Sequence, residues 1–234
     1  MNVTVVVPTY NERDNIARLV NVLQEVFREN RTDGRIMVVD DSSPDGTAQI
    51  VRELRKKNTN VTLYVRAERR GIGAAYKFAF PMCKTQYVVE MDADFSHDPR
   101  ELPRFLDKLE KGYDLVVGSR YVKGGARLDP FYRRVFPVVG NWLYRKLLGF
   151  PVTDTTSGYR AFRASALAKI KLSRLPNDFS FQSAMIYEFM RAGRRVGEVP
   201  ISFRKREAGT PKYAFKDLLG NIALLLRLFF FGRA

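Results

Sequence analysis

Residues 3–29 read V-T-V-V-V-P-T-Y-N-E-R-D-N-I-A-R-L-V-N-V-L-Q-E-V-F-R-E, and this stretch decides the fold class. Val3–Val7 is a short apolar run rich in β-branched residues, which is typical of a strand buried on both faces. Pro8–Glu12 then interrupts the run with polar and turn-forming residues. Apolar residues recur at helical spacing from Ile16 to Phe27. The stretch therefore predicts a strand, a turn and a helix that ends near Glu29.

The same unit recurs along the first half of the chain, which becomes basic and aromatic after Arg120. Alternating strands and helices predict an α/β fold with a mostly parallel sheet and helices on both of its faces. The further predicted elements are the strands Ile36–Val39, Val61–Val65, Tyr87–Met91 and Leu115–Val117, and helices after Gly46, through Ala74–Phe80 and through Leu102–Leu109.

Composition narrows the class of protein. The chain has 234 residues, of which 45% are hydrophobic, and this suits one globular domain, alone or with a small appendage. With 40 Lys and Arg against 25 Asp and Glu, the formal net charge is +15, which favours a polyanionic partner. Cys83 is the single cysteine, and the N-terminus has no secretion-signal pattern. We therefore expect a reduced, cytosol-facing location.

Polar residues follow all five predicted strands. Ligands of open parallel sheets bind beyond the carboxyl ends of the strands, which meet at one edge. We therefore expect the functional site where these segments converge. The segments are Pro8–Glu12, Asp40–Ser43, Arg66–Glu68, Asp92–Asp94 and Gly118–Arg120.

Asp92 and Asp94 stand one residue apart after a buried strand, so two hard oxygen donors lie near one point, as Mg²⁺ or Mn²⁺ requires. The alternative is that they cap the helix that opens near Pro99, although Asp98 is better placed for that. His97, the single histidine, is expected to be a solvated loop residue rather than a metal ligand.

Asp40 and Asp41 supply acceptors that suit the N–H groups of a base and the hydroxyls of a ribose. Two charges directly after an apolar strand are costly unless something polar is bound there. Asp45-Gly46 is expected to be a turn ahead of the next helix.

Basic residues cluster in the second half of the chain. Most are expected only to solvate a surface, and the others to bind phosphate. Nucleic acid is not an expected partner, because no known RNA-binding or DNA-binding module is visible and the carboxylate pair would repel phosphate without a metal. The cluster comprises Arg120, Lys123, Arg127, Arg133, Arg134, Arg145, Lys146, Arg204, Lys205, Arg206 and Lys212.

Seven segments in a fixed order carry a family resemblance. They are V-V-V-P-T-Y-N-E-R-D-N-I, V-D-D-S-S-P-D-G-T, R-R-G-I-G-A-A-Y, V-E-M-D-A-D-F-S-H-D-P, V-V-G-S-R-Y, D-T-T-S-G-Y-R and G-E-V-P-I-S-F-R-K-R. Together the segments resemble the inverting family 2 glycosyltransferases of GT-A fold. Within that family they are most similar to the polyprenyl-phosphate sugar transferases of the dolichyl-phosphate mannose synthase type.

The resemblance implies a role for each matching residue. Asp92 and Asp94 hold the metal, with Ser96 at the position of a third ligand, and both aspartates and Arg120 are catalytic. Arg120, Arg133 and Arg134 bind the acceptor phosphate. The implied donor-nucleotide site comprises Pro8, Tyr10, Glu12, Asp40, Asp41, Ala93 and, from a basic loop, Arg206 and Lys212.

The implied reaction transfers mannose from GDP-mannose to dolichyl or another polyprenyl phosphate with inversion. Two alternatives remain: UDP-glucose as the donor, or a hydroxyl acceptor with Asp154 as the general base.

The expected organisation is a glycosyltransferase domain over residues 1–213, with a nucleotide-sugar half (1–119) and an acceptor half (120–213). Residues 214–234 are expected to form an amphipathic interfacial helix, because Ile222–Phe231 is apolar but too short to span a bilayer. We expect the protein at the cytoplasmic face of a membrane, peripherally or through a partner subunit or a further transmembrane segment.

Overall fold

The computed structural model describes residues 1–127, 135–204 and 215–232. Its strands are β1 (Asn2–Thr9), β2 (Asp33–Asp40), β3 (Val61–Val65), β4 (Tyr87–Glu90), β5 (Leu115–Ser119), β6 (Ala126–Arg127), β7 (Arg160–Arg163), β8 (Val196–Pro200) and β9 (Ser202–Phe203). Its α-helices are α1 (Arg13–Glu29), α2 (Thr47–Lys57), α3 (Ile72–Ala79), α4 (Leu102–Glu110), α5 (Val135–Leu148), α6 (Ala164–Leu167), α7 (Phe181–Arg191) and α8 (Phe215–Phe231).

Seven of the strands form one sheet in the order β3-β2-β1-β4-β7-β5-β8, and β6 pairs with β9 in a separate two-stranded sheet. Strand β7 is antiparallel to both of its neighbours, and the other pairs described in the seven-stranded sheet are parallel. The predicted mostly parallel α/β sheet is confirmed. The five strands predicted from the sequence run in the same direction, so their carboxyl ends meet at one edge.

The apolar run of β1 is buried on both faces, as its composition predicts. Val3, Val5 and Val7 belong to one core, which α1, α2 and α4 cover. Val6 belongs to the opposite core, which the remaining helices cover. Burying one such side chain contributes about 1.5–3 kcal/mol. A strand with cores on both sides therefore has no solvent face on which polar residues would alternate.

Helix α8 packs across α5 at the second core. Leu225 is buried in that core, and the Tyr144 hydroxyl of α5 donates to the carbonyl oxygen of Asn221 at 2.9 Å. Other apolar side chains of α8, such as Leu226 and Phe230, are exposed. Among the described helices, none combines the length and hydropathy that crossing a bilayer requires.

Packing between α1 and β2 leaves no room for a side chain at Gly34. A Cβ built on Gly34 would lie 2.3 Å from the ring of Phe27, which is itself buried in the first core. We expect Gly34→Ala to lower the free energy of unfolding by about 2 kcal/mol, because the ring must shift within a packed core. Urea denaturation measures this change.

Gly140→Ala, in α5, is the matched control. A Cβ at Gly140 would meet no described atom within 4 Å, so this change should be neutral or stabilise the helix by up to about 1 kcal/mol. Equal destabilisation by both substitutions would contradict the packing argument.

Candidate functional site

Three strands that lie side by side, β2, β1 and β4, each end in a turn that contains a non-glycine residue with positive φ. The φ angles are 57° at Asn11, 51° at Ser42 and 59° at Phe95. Such conformations are uncommon outside glycine and cluster at functional sites. These turns occupy the sheet edge where the sequence predicts ligand binding, which makes this edge the candidate site.

Asp92 and Asp94 lie in the turn after β4 and differ in environment. Asp94 is buried, and its Oδ1 accepts hydrogen bonds from the Ser96 amide at 3.0 Å and from the Ser96 hydroxyl at 2.6 Å. The Asp92 side chain retains 30% exposure. Ser96 therefore orients Asp94, and its predicted coordination of a metal stays a prediction.

His97 is buried, so the expectation of a solvated loop residue is wrong. Its ring stacks on Tyr159 with centroids 5.2 Å apart and meets the edge of Phe203 at 5.8 Å. Both aromatic residues come from distant parts of the chain, which the local sequence does not reveal. The Nδ1 atom accepts from the Asp92 amide at 3.3 Å. Burial lowers the pKa of His97, against the opposing effect of the neighbouring Asp92 and Asp94, so the ring is neutral near pH 7.

The oxygen chemistry around Asp92 fits a divalent cation. A Cβ built on Gly158 would lie 3.6 Å from Asp92 Oδ2, so a glycine at this position keeps space open beside the carboxylate. The described residues include no group of three or more His, Cys, Asp and Glu side chains arranged as a metal site. Mg²⁺ commonly keeps several waters and takes further oxygen ligands from substrate phosphates.

Asp40 and Asp41 are satisfied by the protein itself. Asp40 accepts from the Thr9 hydroxyl at 2.8 Å and from the Ser43 amide at 2.9 Å. Asp41 forms a bidentate ion pair with Arg66, at 2.6 and 2.8 Å. The expectation that these charges require a bound polar group is therefore wrong. Long-range partners remove the burial cost, and the donor-binding roles of both residues stay predictions.

The β1 turn brings further predicted donor-site residues to the same edge. The Tyr10 ring lies under the guanidinium of Arg69, with 4.4 Å from Cζ to the ring centroid. Glu12 is buried, its carboxylate accepts from the Asn15 amide group at 2.8 Å, and its backbone N–H donates to the Thr47 hydroxyl at 3.0 Å. Pro8 is partly buried and Ala93 is buried.

Arg120, at the end of β5, forms a buried bidentate ion pair with Asp154. The Nε–Oδ2 distance is 2.6 Å and the Nη2–Oδ1 distance is 2.7 Å, while Nη2 also donates to the Thr156 hydroxyl at 2.9 Å. Burial raises the pKa of Asp154, but the guanidinium groups of Arg120 and Arg160 lower it by more, so the pKa lies below its usual value. Both oxygens of Asp154 thus accept from Arg120, and its role as the general base of the hydroxyl-acceptor alternative stays a prediction.

Asp45 and Asp98 confirm two smaller predictions. Asp45 accepts from the Thr47 amide in the turn before α2. Asp98 accepts from the Arg100 amide at the start of the 3₁₀ turn Pro99–Glu101.

Arg160 is a site residue that the sequence reasoning missed. Its guanidinium is fully buried and donates to the carbonyl oxygens of Ser157 at 2.7 Å and Thr155 at 2.9 Å, and also to that of Gln182. Opposite it in the β4–β7 register stands the equally buried Glu90. One signal was available: an acid and an arginine each interrupt an apolar strand run, and such charges need partners.

Four predicted phosphate-binding residues lie outside the described residues: Arg133, Arg134, Arg206 and Lys212. Arg204, the last residue described before Arg206 and Lys212, contacts the turn after β4. The Arg204 amide donates to the Ser96 carbonyl oxygen at 3.1 Å, and its guanidinium lies 3.1 Å from the Asp98 carboxylate.

Comparison with known proteins agrees with this geometry. Residues 4–171 match the family model "Glycosyl transferase family 2". The chain is 41% identical to polyprenol monophosphomannose synthase of Mycolicibacterium smegmatis, over 92% of this chain and 82% of that protein. It is 37% identical to undecaprenyl-phosphate mannosyltransferase of Micrococcus luteus, over 91% of this chain and 87% of that protein.

Solved structures show the same fold at low identity. Glucosyl-3-phosphoglycerate synthase from Mycobacterium tuberculosis, in complex with phosphoglyceric acid, matches with a TM-score of 0.73 and 21% identity, over 97% of this chain and 80% of that one. A mannosyltransferase from Pyrobaculum calidifontis, in complex with GDP-mannose and Mn²⁺, matches with a TM-score of 0.64 and 24% identity, over 96% and 64%. The predicted GT-A fold is confirmed.

Removing the Asp154 charge should destabilise the protein in a pH-dependent way. At pH 7 we expect Asp154→Asn to cost about 3 kcal/mol of unfolding free energy, because it leaves Arg120 buried without its counter-charge. The folded pKa of Asp154 lies below its unfolded value, so the stabilisation is present above about pH 4 and is lost as the pH falls through the folded pKa. The difference between wild type and variant should therefore shrink in acid.

Denaturant titration at pH 7 and at decreasing pH measures this difference. Glu53→Gln is the control, because its pair with Lys56 is exposed and should contribute less than about 1 kcal/mol. A difference between wild type and Asp154→Asn that stayed constant into acid would contradict the assignment.

Proposed function

This chain belongs to glycosyl transferase family 2, and we propose that it transfers mannose from GDP-mannose to a polyprenyl phosphate with inversion at the anomeric carbon. The observation that carries the proposal is the buried Arg120–Asp154 ion pair at the end of β5. It places a guanidinium at the carboxylate-rich sheet edge and engages both oxygens of Asp154, the candidate base. An acceptor that is already anionic fits such a site.

On the donor side, we assign the nucleotide to the turns after β1 and β2. The acceptor atoms of Glu12, Asp40 and Asp41 suit a guanine base and ribose hydroxyls, and their orientation is set by Asn15, Thr9 and Arg66. The Tyr10 ring and Pro8 would provide the apolar surface beside the base. The mannosyl group of the donor is supported by the names of the two relatives, and the guanosine diphosphate is our proposal.

At the diphosphate end, Asp92 and Asp94 would hold Mg²⁺ or Mn²⁺. Such a cation, when bound, offsets the negative charge that develops on the leaving diphosphate. Ser96 keeps Asp94 in place through the 2.6 Å hydrogen bond from its hydroxyl. Gly158 leaves the space beside Asp92 into which a diphosphate oxygen could enter.

On the acceptor side, Arg120 would orient the phosphate of the polyprenyl chain for in-line attack. A phosphate monoester is anionic near neutral pH, so it needs no strong general base. This agrees with the two nearby candidates for a base: Asp154 is held in its ion pair, and the Nδ1 atom of His97 already accepts a hydrogen bond. Arg120 therefore acts by position and charge.

The acceptor lipid lies in a bilayer, and we assign the membrane-facing surface to α5 and α8. Both helices expose large apolar side chains although Tyr144 holds them together. Several large exposed apolar side chains on paired helices favour an interaction site, and the net charge of +15 favours anionic lipid. The exposed residues are Val138, Val139, Trp142 and Leu147 on α5, and Leu219, Ile222, Leu226, Phe230 and Phe231 on α8.

A product assay tests the reaction. Purified protein receives radiolabelled GDP-mannose or UDP-glucose with polyprenyl phosphate in vesicles, and the organic phase is extracted and counted. We expect lipid-linked label from GDP-mannose only, with loss of label on EDTA treatment and recovery with Mn²⁺ or Mg²⁺. Label from UDP-glucose alone would show that UDP-glucose is the donor. Label that survives EDTA would show that the reaction does not require the metal.

Two variants test the donor-side role of Asp92 and the acceptor-side role of Arg120 separately. We expect Asp92→Ala to abolish turnover and to weaken GDP binding in the presence of Mn²⁺. Arg120→Ala should lower turnover by about 100-fold or more but keep the affinity for GDP, because it affects phosphate positioning. If Arg120→Ala retained wild-type turnover while Asp92→Ala lost it, the acceptor role would be wrong and the donor role would stand.

Vesicle co-sedimentation tests the membrane-facing surface. We expect the double variant Trp142→Ser, Phe230→Ser to bind anionic vesicles about tenfold or more weakly than wild type, since two large apolar contacts are lost. Phe78→Ser is the matched control, because Phe78 is an exposed aromatic residue that packs against Tyr64 of β3 instead. Equal losses in both proteins would contradict the assignment.

A further inference from the structure

Helix α5 reaches the functional site through one buried side chain, that of Asn141. Asn141 is only 4% exposed, whereas the next residue of the helix, Trp142, is 58% exposed. The Asn141 Oδ1 atom accepts two hydrogen bonds from Thr155, one from the amide at 3.0 Å and one from the hydroxyl at 2.8 Å. The helix therefore has an apolar outer face and a polar contact with the site on its inner face.

Thr155 belongs to the loop 154–158, which connects both halves of the candidate site. At one end of the loop, Asp154 holds the guanidinium of Arg120. At the other end, Gly158 lies beside Asp92, since a Cβ built on it would be 3.6 Å from Asp92 Oδ2. A shift of this loop would therefore move the predicted acceptor ligand relative to the predicted metal ligand.

Strand β7 and helix α7 also hold this loop through hydrogen bonds. Arg160 of β7 donates to the carbonyl oxygens of Thr155 and Ser157, and the Ser183 hydroxyl of α7 donates to that of Thr155 at 3.2 Å. These contacts use the acceptors of the loop backbone. The Thr155 amide and hydroxyl, which are donors, are both directed to Asn141, so α5 makes a different contact from those of the sheet and α7.

We propose that Asn141 is a positioning residue, through which α5 sets the place of the loop 154–158 and so of Arg120. This inference rests on the proposed function for its effect on turnover. Docking of the outer face of α5 on a lipid surface would then hold the acceptor side of the site at a defined height above the lipid. The donor side, formed by the β1 and β2 turns, has no such contact with Asn141 among the described residues.

The test compares two hydrogen bonds of the same helix. Asn141→Ala removes the contact with Thr155, whereas Tyr144→Phe removes the bond from α5 to Asn221 of α8 and leaves the loop untouched. We expect Asn141→Ala to raise the KM for polyprenyl phosphate, or to lower kcat, by about tenfold. The Kd for GDP with Mn²⁺ should stay within about twofold in both variants. Tyr144→Phe alters the contact between α5 and α8 but not the loop, so it should change KM and kcat less than Asn141→Ala does, and equal changes would overturn the positioning role.

Thr155→Val provides the same test from the other side of the contact, should Asn141→Ala fold poorly. It removes the hydroxyl bond and keeps the volume and the amide. In the double variant the two effects on KM should be less than multiplicative, because both remove one interaction. Multiplicative effects, or an equal loss of GDP affinity, would overturn the positioning role.

Amide hydrogen exchange of the loop tests the contact between Asn141 and Thr155 independently of enzyme activity. On anionic vesicles, exchange in residues 153–158 should slow in wild type and in Tyr144→Phe but not in Asn141→Ala. If wild type forms no mannosyl lipid, the proposed function fails, and the exchange result alone decides whether Asn141 couples α5 to the loop. Identical exchange in wild type and Asn141→Ala, with and without vesicles, would overturn the inference.

Discussion

Strand β7 pairs antiparallel with β4 on one side and with β5 on the other, and the candidate site depends on this pairing. It brings the loop 154–158 across the carboxyl ends of two parallel strands. The register also sets Arg160 opposite Glu90 inside the sheet. Burial raises the pKa of Glu90 to about 8, against the lowering effect of Arg160. A buried charge is costly alone, but here the arginine also holds two carbonyl oxygens of the loop.

The carboxylates at this edge differ in their hydrogen-bond and ion-pair partners and in their exposure to solvent. Asp41 and Asp154 each face an arginine, and Asp40 is held by hydroxyl and amide donors. Asp92 keeps more of its surface in solvent, beside a glycine that leaves space. In the proposed function, a metal-bound diphosphate would meet Asp92 at this more exposed part of the edge.

A transferase that acts on a lipid must hold a water-soluble donor and a membrane-bound acceptor at once. In the proposed function, the donor turns follow strands of the parallel part of the sheet, which is buried on both faces. The proposed acceptor side is instead connected to α5 and α8, which expose large apolar residues. Separate supports for the two substrates would allow the lipid surface to influence one half of the site without disturbing the other.

The sequence by itself determined the α/β class, the five parallel strands and the edge at which their polar turns converge. These features follow from local periodicity and from the rule that parallel strands end together, so Asp92, Asp94 and Arg120 could be assigned to one edge in advance. Only the tertiary structure decided which residues meet at and below that edge. The contacts of Asp41 with Arg66, of Asp154 with Arg120 and of the buried His97 ring with Tyr159 join residues far apart in the chain, as does the register that sets Glu90 opposite Arg160. Such contacts depend on how the strands are ordered in the sheet, above all on β7 between β4 and β5, and no local pattern of residues specifies that order.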